Sequence, residues 1–207
     1  MKLSDNLRLC TVLREQADLA ATVYAHNRHL YWFVRAYHCI TEEQAWHICN
    51  NHFRETGLLT DIIVRFHELY YREIMDYLQK GSCAPHWEKV FRSAGIPGKP
   101  YNYTLGNLYQ GLRILRQSIH AHVNTDLCIC LQEFAIEISM RKPAFEQDYL
   151  LMNQLLHKAA IRFSREMLAA FQPRFVSIAQ LYHLVTAGFT HRWIIQVRMK
   201  AYHTIAA

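Results

Sequence analysis

A chain of 207 residues, 51% hydrophobic and 19% charged, has the length of one domain and enough apolar mass to bury a core, which excludes a disordered tail. Seven glycines and five prolines are too few for the frequent turns of an all-β sandwich or barrel, so the composition points to helices. The net charge of +6 favours an anionic ligand or surface, but the basic residues are scattered and no zinc-finger, RNP or Gly-rich phosphate motif accompanies them, so no nucleic-acid role is expected.

In chain order, residues 4–25 predict a first amphipathic helix through Leu9, Val12, Leu13, Leu19 and Val23. Residues 27–40 predict a second, with Leu30, Phe33, Val34 and Tyr37 on one face. Thr41 followed by Gln44 reads as a capping box that opens a third short helix ending near Phe53, with Gly57 as punctuation. A long helix then runs to about Lys80, and Gly81 is a natural stop. Pro85 suits the first turn of a short helix ending at Ala94. Residues 95–104 form the one clear loop, either a plain connection or a lid. A very long helical segment, kinked or straight, covers about 105–140 until Pro143 breaks it. Residues 144–171 are helical again, Pro173 breaks that helix, and a last stretch begins near Phe175 with Gly188 as an interruption. The expectation is an all-α fold, a single domain over 1–207 with seven or eight helices and a long central one.

The N-terminus carries Asp5, Arg8, Arg14, Glu15 and Asp18 and lacks the apolar core of a secretory signal. The purest apolar run, residues 127–131, is far too short to span a membrane. The six cysteines contain no CxxC pair and read as buried, reduced thiols of a cytoplasmic protein.

Leu108, Leu112, Leu115 and Ile119 form an apolar stripe whose next members are His122 and Asp126. The rows beside it (Val123, Leu127, Leu131, Phe134) are apolar too, so a histidine and a carboxylate stand where the pattern asks for core. Buried polar groups need partners. Four residues apart on one face, the two side chains suit three arrangements. They can be two ligands of zinc or iron, with His157, His29 or His38 completing the shell. They can be a metal-free catalytic dyad in which Asp126 orients His122. Or they can be a structural hydrogen bond.

Other polar residues are secondary. His120 and Asn124 lie on a different face of that helix, where Asn124 suits clamping a backbone. Asn153 and His157 share a face, with Asp148 nearly opposite His157. An antiparallel helix pair would bring Asn153 near His122 and Asp126. Arg35 lies among Tyr31, Trp32, Phe33 and Tyr37, a stripe that reads as core. Arg35 there holds an anionic ligand group or pairs with an acid, and Arg35 or a tyrosine such as Tyr37 can hold a substrate. His67, His47 and His52 read as helix-surface residues, and His191–Arg192–Trp193 as surface or pocket rim.

The segment Ala121 to Leu127, Ala-His-Val-Asn-Thr-Asp-Leu, resembles the Ala-His-Ile-Asn-x-Asp-Leu segment of a bacterial domain family catalogued as a domain of unknown function. The aromatic helix before Thr41 and the Asp148/Asn153 pair are similar to that family as well, so the resemblance spans roughly residues 24–160. It implies an all-helical fold and a site around His122, Asn124, Asp126 and Asn153, but no reaction. His120 departs from the family, which has Asn two positions before the motif histidine. A more distant likeness, limited to His122 and Asp126, is to helical zinc-dependent phospholipase C-like and nuclease-like enzymes that use His-x3-Asp as metal ligands.

Together these readings lead to an expected small-molecule enzyme with a buried His–Asp site, of hydrolase, lyase/isomerase or cyclase type. Its candidate catalytic residues are His122, Asp126, Asn153, His120, Arg35 and Tyr37. Its candidate metal ligands, for zinc or iron, are His122, Asp126 and His157. The substrate expected is small and fairly apolar, with one polar or anionic end. The alternative is a non-catalytic helical protein that binds a hydrophobic ligand or partner. Four tryptophans and 12 tyrosines also leave room for an interface between copies.

Overall fold

Periodic apolar stripes and few helix breakers give a fold built from helices. The computed structural model describes residues 3–95, 102–171 and 191–206, and no strand occurs among them. Helix α1 (Leu3–His26) turns into α2 (Arg28–Cys49) at Asn27. The Asn27 side chain accepts the backbone N–H groups of His29 and Leu30, each at 3.2 Å, and donates to the Ala94 carbonyl at 3.2 Å. One residue thus caps α2 and ties the corner to the end of another helix.

The capping box expected at Thr41 does not form. Thr41 lies inside the 22-residue α2, fully buried. Its hydroxyl donates to the Tyr37 carbonyl at 3.1 Å and accepts from Gln16 Nε2 at 3.0 Å. Packing of Thr41 against α1 wins over the local capping pattern, and the two expected helices become one.

Helix α3 (Thr56–Lys80) ends at Gly81, whose φ of 68° is the left-handed conformation that glycine adopts without strain. The chain just ahead of it is held from afar: Asp148 accepts the backbone N–H groups of Arg54 and Glu55 at 2.7–3.1 Å. Helix α4 (Pro85–Ala94) opens on Pro85. Helix α5 (Leu105–Ala121) is capped by Thr104, runs into a π turn over His122–Asp126, and continues as α6 (Leu127–Glu133). The chain breaks at Phe134 before the short α7 (Ala135–Met140). The segment expected over 105–140 is therefore one kinked rod plus a short helix.

Helix α8 (Lys142–Phe171) is the longest, with 30 residues, and carries Pro143 in its first turn, where no intrahelical bond is lost. Helix α9 covers His191–Ala206. Most of the loop expected at 95–104, the break at Pro173 and the start near Phe175 with Gly188 lie outside the described residues, as do the side chains of residues 191–193.

Helix α2 is central. It packs against α1, α5 and α8, while α9 packs against the π turn, α6, α7 and α8. Phe33, Tyr70, Trp87, Phe145 and Phe163 are fully buried in one contiguous core. Burial at that level contributes on the order of 1.5–3 kcal/mol per large side chain. No described helix is long and apolar enough to cross a membrane. All six cysteines are free, but only Cys39 and Cys130 are buried, and Cys10 and Cys49 are exposed.

Candidate functional site

The site begins with the π turn. The Leu127 N–H bonds to the His122 carbonyl, five residues back, in place of the usual four. This wider turn stacks side chains four apart more nearly above one another than an α-helix does. It brings His122 Nδ1 to 2.9 Å from Asp126 Oδ2, with both residues buried, at 1% and 2% exposure.

Asp126 collects two further donors from α4. His86 Nε2 lies 2.7 Å from Oδ1, and Trp87 Nε1 donates to Oδ2 at 3.2 Å. Pro85 starts α4 where its first turn can deliver both residues. Burial pushes the Asp126 carboxyl up, but the hydrogen bonds from His122 and His86 outweigh it and hold the group below the ordinary carboxylate range. Asp126 is therefore a carboxylate that only accepts. The proton of a neutral His122 then sits on Nδ1, and Nε2 carries the lone pair. Burial lowers the His122 pKa more than Asp126 raises it, so the ring is neutral at pH 7.

The imidazole is fixed by aromatic rings. Phe66 stacks on it at 3.7 Å with 5° between planes, and Tyr37 and Tyr70 meet it edge-on at 4.8 and 5.0 Å. His122 Nε2 is buried and has no hydrogen-bond partner. The ring borders a cavity of about 70 Å³, counted as room for the centres of water-sized molecules. That is space for several waters or a small ligand. Apolar groups such as Ile62, Val123, Met152 and Phe163 form most of the wall. The polar exceptions are Tyr37, Gln44, His122, Tyr149 and Arg198.

The expected residues divide into those the fold gathers and those it separates. His122 and Tyr37 meet at the cavity, and Asp126 bonds His122 without lining it. Asn153 makes no hydrogen bond to His122 or Asp126. Its Oδ1 accepts from Arg198 Nε at 2.7 Å, so it reaches the cavity through Arg198. Arg35 is not in the site: it makes a two-pronged ion pair with Glu166 at 2.7 and 2.8 Å. His120 and His157 are exposed, on faces that turn away from the cavity. Asn124 is half-buried and clamps no backbone among the described residues. His38 pairs with Glu42 at 3.2 Å, and His29 turns toward Asn107 and Ala94.

Two histidines read as surface are buried. His67 bonds Glu15 at 2.9 Å and Tyr70 at 3.3 Å, and His47 bonds His52 at 2.9 Å.

The residues do not fit a metal shell. His157 is too far around α8 to join, and His122 Nδ1 points at Asp126 rather than beside it toward a common centre. Both Asp126 oxygens already accept hydrogen bonds, from His86, His122 and Trp87. Among the described residues no three His, Cys, Asp or Glu side chains converge as zinc or iron requires.

Sequence reasoning missed His86, Trp87, Phe66 and Arg198. Arg198 was within reach: with Ile194, Ala201 and Tyr202 it lies on an apolar stripe, the same signal that exposes His122. His86 and Trp87 gave none, because their link to Asp126 spans some 40 residues of chain.

An all-helical fold in which a carboxylate-held imidazole faces an apolar cavity is the class these features define. The chain belongs to the family described as Family of unknown function (DUF5995), which matches residues 10–207. No curated protein and no solved structure matches it.

Proposed function

We propose that this protein is a metal-independent acid–base enzyme that moves a proton on a small, fairly apolar carbonyl compound, as a lyase or isomerase does. The observation that carries this reading is His122 Nε2: a basic nitrogen, buried and unpartnered, at the wall of an apolar cavity. Asp126 fixes the tautomer that leaves this nitrogen bare and stabilises the imidazolium when it takes a proton. The His-x3-Asp spacing shared with zinc-dependent helical enzymes serves a dyad in this reading.

Tyr37 supplies the second half of the chemistry. Its ring meets His122 edge-on and lines the same cavity, and full burial raises its pKa well above the ordinary phenol range. The hydroxyl therefore stays protonated and can donate to a substrate oxygen as negative charge develops there. His122 takes the proton from carbon. The proton then returns to another carbon of the substrate, or a leaving group departs with the electron pair. His86, 24% exposed, holds the other Asp126 oxygen and joins the dyad to the solvent side. Among the described residues the cavity wall contributes no Ser, Thr or Cys, so none of them offers a nucleophile for acyl-enzyme hydrolysis.

The test is hydrogen exchange in D2O. Short β,γ-unsaturated and 3-oxo compounds are incubated with the protein, and deuterium uptake at carbon is read by mass spectrometry. Wild type is expected to accelerate exchange and His122→Gln to lose about 10²–10⁴-fold of it. Equal exchange by His122→Gln, or none by wild type over the panel, contradicts the proposal. The apolar wall also favours a second reading, a non-catalytic binder of the same ligands, which predicts binding without exchange.

A further inference from the structure

The second polar feature of the cavity is a cation. Arg198 on α9 is only 4% exposed and lines the cavity together with His122. Its Nε donates to Asn153 Oδ1 at 2.7 Å, and the guanidinium carbon lies 4.7 Å from the centre of the Tyr149 ring. The Tyr149 hydroxyl donates to the Arg198 carbonyl at 3.0 Å, which fixes the backbone as well. Two contacts thus hold the head group in place, yet neither is a carboxylate. Among the described residues Arg198 has no ion pair, and its two terminal nitrogens donate to nothing.

A guanidinium stays charged, and a buried charge without a counter-ion is costly. Other arginines of this chain have carboxylate partners, as Arg35 has Glu166 and Arg65 has Glu133. Arg198 instead turns a ring-backed cation without a counter-ion toward an apolar space.

We propose that Arg198 is the anchor of a ligand site for a short apolar monocarboxylate, whose carboxylate seats on the two free terminal nitrogens. The hydrocarbon part would lie against Ile62, Met152 and Phe163, and the carbon nearest the other end of the cavity would face His122. The geometry selects for a carboxylate. Two parallel N–H groups match its two oxygens, and one guanidinium balances one negative charge. A phosphate dianion would leave a charge unbalanced inside an apolar wall. A neutral alcohol or amide would leave the cation unpaired. This inference deepens the acid–base reading by naming the substrate class, but it concerns binding and can stand if no proton is transferred.

Calorimetric titration with straight-chain carboxylates from acetate to octanoate, with hexanol and inorganic phosphate as controls, tests it. Wild type is expected to bind one acid of the series at least tenfold more tightly than hexanol or phosphate. Arg198→Met is expected to lose at least tenfold of that affinity, while Arg92→Met, which removes an arginine 82% exposed and outside the cavity lining, stays within about threefold of wild type. Removal of an unpaired buried charge should leave the Arg198→Met protein folded, with an unchanged or higher melting temperature before ligand is added. A parallel measurement needs no variant: the acid should shift the Arg198 Nε–H resonance of the wild-type protein by NMR. Binding that survives Arg198→Met, tighter binding of hexanol or phosphate, no binding across the series, or an unmoved Arg198 resonance would each overturn the proposal. Carboxylate binding without deuterium exchange would reject the acid–base reading and leave this site standing.

Discussion

Asp126 is the residue on which the site depends, because it accepts from His122, His86 and Trp87 at once. Asp126→Ala strands the buried His122 Nδ1–H and the Trp87 Nε1–H, at about 1–3 kcal/mol each. The expected loss of stability is about 2–6 kcal/mol in urea unfolding. Asp126→Asn should lose less than half of that. Its amide oxygen can still accept from His122 and Trp87, and its NH₂ can donate to His86 once that ring changes tautomer. Equal losses for the two variants would mean that the charge, not the acceptor geometry, holds the three donors. At this scale the sequence was informative wherever a polar residue interrupted an apolar stripe. That rule finds His122 and Asp126 and, applied to α9, finds Arg198. It cannot find His86, since nothing in a single chain reports that the first turn of α4 meets the π turn.

Elements obey their local signals until packing overrides them. Gly81 and Pro85 mark a helix end and a helix start as expected, because left-handed φ and a missing N–H are local properties. Thr41 and Gln44 carry an equally good local signal that loses, since Thr41 is buried against Gln16 and the helix continues through it. The π turn is likewise invisible to a 3.6-residue period. Long-range capping belongs to this scale too. Asp148 on α8 accepts two backbone N–H groups ahead of α3. Asp148→Ala should cost about 1–3 kcal/mol in chemical denaturation. It should leave carboxylate binding unchanged, as Asp148 does not border the cavity. A cost below about 0.5 kcal/mol would show that solvent replaces the cap.

Across the whole molecule, α2, α3, the π turn, α8 and α9 each contribute wall to one cavity whose polar groups are sparse and differ in kind: a neutral base, a protonated phenol and a fixed cation. The charge state of His122 connects this architecture to pH. Burial, its main influence, lowers the folded pKa below the unfolded value of about 6.5. The unfolded chain then binds more protons in the window between the two values, so stability rises with pH across it. His122 costs no stability above about pH 6.5, and its contribution is lost as pH falls toward the folded pKa. Activity that uses His122 as a base should keep its acid limb below the same point.

The most direct measurement is a ¹⁵N NMR titration of the histidine rings, with the His122 signals assigned by their loss in His122→Gln. At pH 7 His122 should be neutral, protonated at Nδ1 and bare at Nε2, with an apparent pKa below about 6.5. A ring protonated on both nitrogens at pH 7, or one whose proton sits on Nε2, would contradict a bare base nitrogen held at the cavity wall.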